Sequence, residues 1–387
     1  MISVLISPTV LHWARERSQL EPEQLAAITH IKSGKLLSWE EEGETKPTFK
    51  QAQDIAKALH VPFGFLFLPH PPEEKLAIPD LRTVGDRVAG SFSADLRDLL
   101  MDVLRKQDWY RDHLLEQGTS PLPFINRFNL DAPVTEIATD VTAVLKLTLM
   151  DRKEAKSWEE FLVLLAEKAE TSGVCIMRSG TVGSNTHRIL DAEEFRGFAI
   201  CDQIAPVVFI NGKDARAAQI FTLIHELIHL WIGQSGISNI SLAQPDSITY
   251  QRTEKVCNAV AAEVLVPQHV LREHWRRQES LDWNASQLGS FFRVSTVVVA
   301  RRALDLGIIK WAVYFDYYQR QAEFWRKGKK GPGGEFYRTI PVRNGRHFTE
   351  AVVQSASERN LLLRDAGRLL GINPSKIQRL AQTIGIA

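Results

Sequence analysis

Phe221-Thr222-Leu223-Ile224-His225-Glu226-Leu227-Ile228-His229-Leu230 is the stretch from which both the fold and the chemistry of this chain can be read. It contains the pattern H-E-x-x-H, and Ala215 to Trp231 around it reads as a helix. Positions four apart on a helix lie one turn apart on the same face. Both imidazoles can therefore meet one ion. Zinc accepts neutral imidazole at about 2.0–2.1 Å and prefers four ligands. Glu226 sits between the histidines at the edge of that face, where it can reach a water in an open coordination position. A bound ion lowers the pKa of such a water toward about 7, and Glu226 can take its proton. The flanks are apolar, so the helix is largely buried. Two histidines and a glutamate at that depth need partners, and a metal supplies one. Without a metal, the same pattern would be a pair of satisfied core histidines.

A catalytic zinc site needs a third protein ligand and an open position. The run Glu254 to Pro267 reads as a buried helix with two carboxylates, Glu254 and Glu263. They are about two and a half turns apart, so both cannot reach one ion from similar depth. Spacing alone leaves the choice open. Cys257, one turn from Glu254, could in principle ligate but is the weaker candidate. His187 and Tyr250 are candidates for stabilising an oxyanion or binding substrate. A substrate strand could add to an edge supplied by Phe195 to Ile200 or Val207 to Asn211.

Working outward, Val174 to Met177, Gly197 to Ile200 and Val207 to Ile210 are short β-prone runs. Helical patterns cover Asp95 to Gln117, Ser157 to Ser172 and Arg252 to Val266. Ser286 to Leu304 and Leu361 to Ile384 each read as two helices around a turn, and Gly328 to Gly334 as a loop. The predicted fold class is α+β, mostly helical. Four short helices before residue 60 suit a helix-turn-helix domain, with Thr48 as an N-cap of the fourth. Prolines 62, 69, 71, 72 and 79 mark a stiff linker. The expected organisation is a helix-turn-helix domain over 1–68, a linker over 69–90, a zincin-like peptidase core with a small sheet over 91–268, and a basic helical domain over 269–387.

The chain has 387 residues, 44% hydrophobic, with three widely spaced cysteines. That excludes a disulfide framework and fits a reducing, cytoplasmic compartment. No apolar run approaches a membrane span of roughly 18 residues, and the apolar start, ended by Pro8, does not read as a signal peptide. Net charge is +1, but residues 268–387 carry 20 Lys/Arg against 10 Asp/Glu. A basic third on an acidic body suggests an acidic partner such as nucleic acid.

The residues from Phe221 to His229, with Val208-Phe209-Ile210-Asn211 before them and Glu254-x-x-Cys257-Asn258-x-x-Ala261-Ala262-x-x-Leu265-x-Pro267 after, resemble the ImmA/IrrE metallopeptidases. The resemblance implies that His225, His229 and Glu254 ligate zinc and that Glu226 is the general base. Trp13 to Arg17, Leu36-x-x-Trp39-Glu40, Pro47-Thr48-Phe49 and Pro79 to Thr83 resemble the Xre-type helix-turn-helix fused to such peptidases. Phe292-Arg293-Val294-Ser295 with Ala300-Arg301-Arg302 is similar to the element that follows their core. The resemblance implies cleavage or inactivation of an Xre-type repressor. It also offers an antitoxin-like alternative, in which the peptidase fold is a scaffold for a partner encoded by an adjacent gene, such as a PIN-like toxin. A homodimer is a further expectation, and a membrane partner is not expected.

The first 60 residues hold 7 basic and 8 acidic side chains, with Glu40, Glu41, Glu42 and Glu44 clustered at the third helix. Phosphate binding relies on Lys and Arg, so Lys32 and Lys35 are the candidates there, and a protein-binding role is the rival. The basic C-terminal third offers Arg293, Arg301 and Arg302, with Arg276, Arg277, Lys327, Lys329 and Lys330.

Overall fold

The computed structural model describes residues 3–41, 45–73, 92–238, 252–326 and 335–386. These form two compact units. The first holds the described residues before 74 together with 92–101, and the second holds those from Asp102 onward.

In the first unit, α1 (Pro8–Arg17), α2 (Pro22–Thr29), α3 (Ser33–Glu40) and α4 (Phe49–Ala58) surround a core of Leu11, Leu25, Leu36, Trp39, Ile55 and Leu66. Thr48 caps α4 by accepting the Gln51 N–H, while Gln51 reaches back to the Thr48 N–H at 2.9 Å. Such reciprocal capping satisfies two otherwise orphaned donors. Glu40 is not a surface charge. Its carboxylate accepts from Arg15 Nε at 2.8 Å and lies 2.9 Å from His12 Nδ1, tying α3 to α1. The acidity at this point of the sequence thus serves in part an internal ion pair, while Glu42 and Glu44 lie outside the described residues.

The helix α5 (Ala94–Glu116) leads to α6 (Val134–Val144), α7 (Leu149–Glu154) and α8 (Trp158–Thr171). The sheet follows: β1 (Cys175–Ser179), β2 (Gly197–Ile200) and β3 (Val207–Asn211), then α9 (Arg216–Trp231) and the short β4 (Gly236–Ser238). Strand order is β1-β3-β2-β4. β1 runs parallel to β3, while β2 is antiparallel to both neighbours, with Gly197 opposite Ile210 on one side and Ser238 on the other. All four residues of β2 and all five of β3 are buried, as expected for strands covered on both faces.

Next comes α10 (Arg252–Leu265), which packs along α9 and α6, then α11 (Gln268–His274), α12 (Leu281–Phe292), α13 (Thr296–Asp305) and α14 (Trp311–Arg326). The chain ends in α15 (Phe336–Asn344), α16 (Arg346–Ser357), α17 (Leu363–Leu370) and α18 (Ile377–Ile384). α15 and α16 pack beside β1, where Lys106 Nζ donates to Asn344 Oδ1 at 2.8 Å and the Arg346 N–H donates to Glu170. The fold class read from sequence is the one observed. Six helices and the fourth strand were not in that reading: α6, α7, α11, α14, α15, α16 and β4. The expected loop at 328–334 lies outside the described residues. No helix among the described residues is long and apolar enough to cross a membrane.

Candidate metal centre

The core of the second unit is apolar around α9: Leu223, Ile224, Leu227, Ile228, Leu230 and Trp231 are all fully buried. Burial on every side fixes this helix within the unit and leaves its polar side chains little choice of partner. Both ends are secured by other segments. At the start, the Asp214 carboxylate accepts the Ala215 N–H and the Asp214 carbonyl accepts Gln219 Nε2. At the far end, the Asn126 and Phe128 N–H groups bond the carbonyls of Leu230 and Trp231 at 2.9 and 3.1 Å. These are carbonyls that a helix terminus leaves without internal partners. Gly233 comes so close to Asn126 that a Cβ there would lie 2.2 Å from its side-chain oxygen, and its φ of +71° also favours glycine.

α10 is positioned by its own anchors. Thr253 Oγ1 donates to Gln234 Oε1 at 2.8 Å, and the buried Arg152 guanidinium donates to the Val264 and Leu265 carbonyls at 2.8 and 2.6 Å. This places the first turn of α10 over the middle of α9. Glu254 Oε2 lies 3.1 Å from His225 Nε2, Glu254 Oε1 lies 3.2 Å from His229 Nε2, and the two Nε2 atoms are 3.2 Å apart. Glu263 is committed elsewhere, paired with Arg302 and accepting the Gln268 N–H. Of the two carboxylates between which spacing left the choice open, Glu254 is the one that lies beside the histidines.

His225, Glu226 and His229 are completely buried. Among the described residues the Nδ1 atoms of both histidines have no hydrogen-bond partner, and the hydroxyl acting on the buried Glu226 carboxylate is that of Ser238. Burial lowers the proton affinity of His229; the hydrogen bond with Glu254 opposes this and His225 beside it adds to it, leaving a net shift toward the neutral ring that a metal ligand needs. Burial pushes the Glu226 carboxyl well above the usual carboxylate range, and the neighbouring Glu254 adds to this. Burial acts in the same direction on Glu254, but the charge of His225 and hydrogen bonds from both imidazoles outweigh it and lower that carboxyl to about 2. Three converging donor groups, two imidazoles and one carboxylate, are a set suited to a divalent ion. Buried polar atoms this poorly matched by the protein itself fit an ion better than a satisfied core.

Residues 169–304 match the family model described as the IrrE N-terminal-like domain, in peptidase family M78. This segment is a metallopeptidase-like domain. Residues 344–383 match a second model, a domain of unknown function (DUF8813). No curated protein and no solved structure matches the chain.

Within the matched segment, two more residues reach the centre. Ser238, at the end of β4, is fully buried, with Oγ 3.4 Å from His229 Nε2. Sequence reasoning missed it, because a three-residue strand with a glycine gives no periodic signal. Cys257 lies close as well. Its sulphur and one nitrogen of each histidine are all within 4.8 Å of one another. Gly197 lies over Glu226.

Other candidates lie elsewhere. β2 and β3 are central strands, so neither offers the edge expected for substrate, and among the described residues the edge beside the centre is β4. His187 is exposed in a loop that Ser184 joins to the Gly371 carbonyl. Tyr250, Lys327, Lys329 and Lys330 lie outside the described residues. Lys32 and Lys35 are exposed. Arg293 donates to the Arg152 carbonyl and Arg301 to Asp305. Arg302 is turned inward, donating to the Val266 carbonyl and paired with Glu263, so it is not presented to a phosphate.

Proposed function

We propose that the protein is a zinc-dependent endopeptidase acting on a regulatory protein. The observation that carries this reading is the convergence of Glu254 on both imidazoles of the motif helix, at 3.1 and 3.2 Å. His225, His229 and Glu254 would hold the ion. When bound, zinc supplies a water of lowered pKa and polarises the substrate carbonyl. Glu226, next to His225 on the motif helix and buried with it, removes the water's proton. Glu226 then delivers the proton to the departing amine. The apolar walls of α9 keep bulk water from competing and strengthen each of these charge interactions.

The substrate we favour is an Xre-type repressor or the product of an adjacent gene, in the cytoplasm. The four short helices of the first unit support a helix-turn-helix reading, with Lys32 and Lys35 facing solvent to meet DNA or a protein. Zinc content and cleavage test the proposal. The purified chain should carry one zinc, and Glu226→Gln should keep the metal and lose cleavage of the repressor by about a hundredfold or more. Equal cleavage by that variant and the wild type would overturn the role of Glu226.

A second reading, an antitoxin-like scaffold, draws support from the complete burial of His225, Glu226 and His229. It expects neutralisation of the partner to survive Glu226→Gln.

A further inference from the structure

Resting on the metal reading above, we propose that Cys257 is a fourth protein donor to the same ion. The sulphur has the position for it. Cys257 follows Glu254 by three residues on α10, so both side chains leave the same face of the helix. Glu254 already touches both imidazoles. Sγ of Cys257 and one nitrogen of each imidazole lie within 4.8 Å of one another. In a tetrahedral site with metal–nitrogen bonds of about 2.0–2.1 Å and metal–sulphur bonds of about 2.3 Å, donors stand roughly 3.5 Å apart. A shift of about 1 Å therefore brings the sulphur into the coordination sphere. Cys257 is completely buried, as are both histidines, so all three belong to one interior cluster.

Ligation forms one bond between Sγ and the ion. The thiol proton passes to solvent, one ion-bound water leaves, and no electrons are transferred. The set of His225, His229, Glu254 and Cys257 then closes the fourth position, as structural zinc sites do. Hydrolytic water regains that position only when the sulphur withdraws, so Cys257 would set how much of the protein rests in a closed state. A cysteine that serves only as apolar packing, the ordinary role of a buried thiol, would not touch the ion.

The test is the full chain loaded with cobalt(II) in place of zinc. Wild type should bind one cobalt and show an intense thiolate-to-cobalt charge-transfer band in the near ultraviolet. Cys257→Ser should still bind one cobalt, keep the weaker visible bands and lose the charge-transfer band. X-ray absorption at the zinc edge of the wild type needs no variant, and should show a sulphur neighbour at about 2.3 Å. Stoichiometric cobalt in the wild type without the band overturns the proposal and leaves the three-ligand reading standing. A band that survives in Cys257→Ser assigns the sulphur to another cysteine and also overturns it. Failure of the wild type to bind cobalt or zinc would remove the metal reading itself and the fourth donor with it.

Discussion

Gly197 presses on Glu226: a Cβ built on this strand residue would lie 2.9 Å from both Cγ and Oε1 of the glutamate, and 2.8 Å from Thr222 Cγ2. Real Cβ atoms do not approach so closely, so something must move. Glu226 sits on a helix buried on all sides, and β2 is hydrogen-bonded on both edges, so neither backbone yields easily. Gly197→Ala should therefore push the carboxylate aside. Overpacking of this kind destabilises by about 1–3 kcal/mol. Thermal unfolding should show that loss. Metal content should be unchanged, because the nearest contacts of the new methyl group are on Thr222 and Glu226, while cleavage should fall as in Glu226→Gln. A variant as stable and active as the wild type would show that the strand does not position Glu226.

Glu254 and Glu263 share a helix but not a task, and their variants should separate cleanly. Glu254→Ala should abolish stoichiometric zinc binding, measured by metal analysis after gel filtration. Glu263→Ala should retain zinc but unfold more readily. It strands the Arg302 guanidinium, whose side chain is only 7% exposed, without its ion-pair partner. Breaking one side of such a buried pair costs about 3–5 kcal/mol. Zinc lost from the second variant and kept by the first would reverse the assignment.

The two units should respond to pH in opposite senses. Burial pushes the Glu170 carboxyl up from 4.5 to about 7, against the opposing Arg346 N–H. A carboxyl raised in the folded state contributes stability that is complete below its unfolded pKa and is lost as pH rises through the folded value. Glu170→Gln keeps an acceptor for that N–H and removes the titration. Relative to this variant, the wild type should lose on the order of 3 kcal/mol between about pH 4 and pH 9. Glu40 behaves in reverse. Burial would raise its carboxyl, but Arg15 and His12 outweigh burial and lower it below 4.5. Its contribution is present above the unfolded pKa and is lost as pH falls through the folded one. Glu40→Gln should be less stable than wild type at neutral pH, with the difference closing in acid. Unfolding curves collected across pH for both variants check the two signs.

Some of this was legible in the sequence for a clear reason. The α9 helix announces itself because its apolar residues run on every side of the H-E-x-x-H pattern, and β1 to β3 because β-branched runs are bounded by turn residues. α6 was missed: Val134, Thr135, Ile137, Thr139, Val141 and Thr142 are residues that favour strands, and packing against α10 overrides that preference. α15 was missed because Pro341 lies inside it, where proline removes a helical hydrogen bond. Tertiary pairings were equally hidden. Nothing near Glu40 in the chain points to Arg15, and nothing in the spacing of Glu254 and Glu263 says which one faces the histidines. Those facts depend on where Arg152, Thr253 and Gln234 hold α10, which only the folded chain reveals.

The peptide N–H groups of Asn126 and Phe128 close the last carbonyls of α9 immediately beyond His229. Both lie more than forty residues upstream of the segment that matches the peptidase family, which begins at 169. The outline of the recognisable domain is therefore narrower than the polypeptide its helix requires. A fragment cut to that outline would carry every motif residue and the Gly233 and Gln234 caps on the Leu230 and His229 carbonyls, yet lose the two bonds that tie this end of the helix to the chain upstream. The structural boundary of the centre has to be drawn upstream of residue 122, where the Leu122 N–H bonds the Gln203 carbonyl, and not at the first matched position.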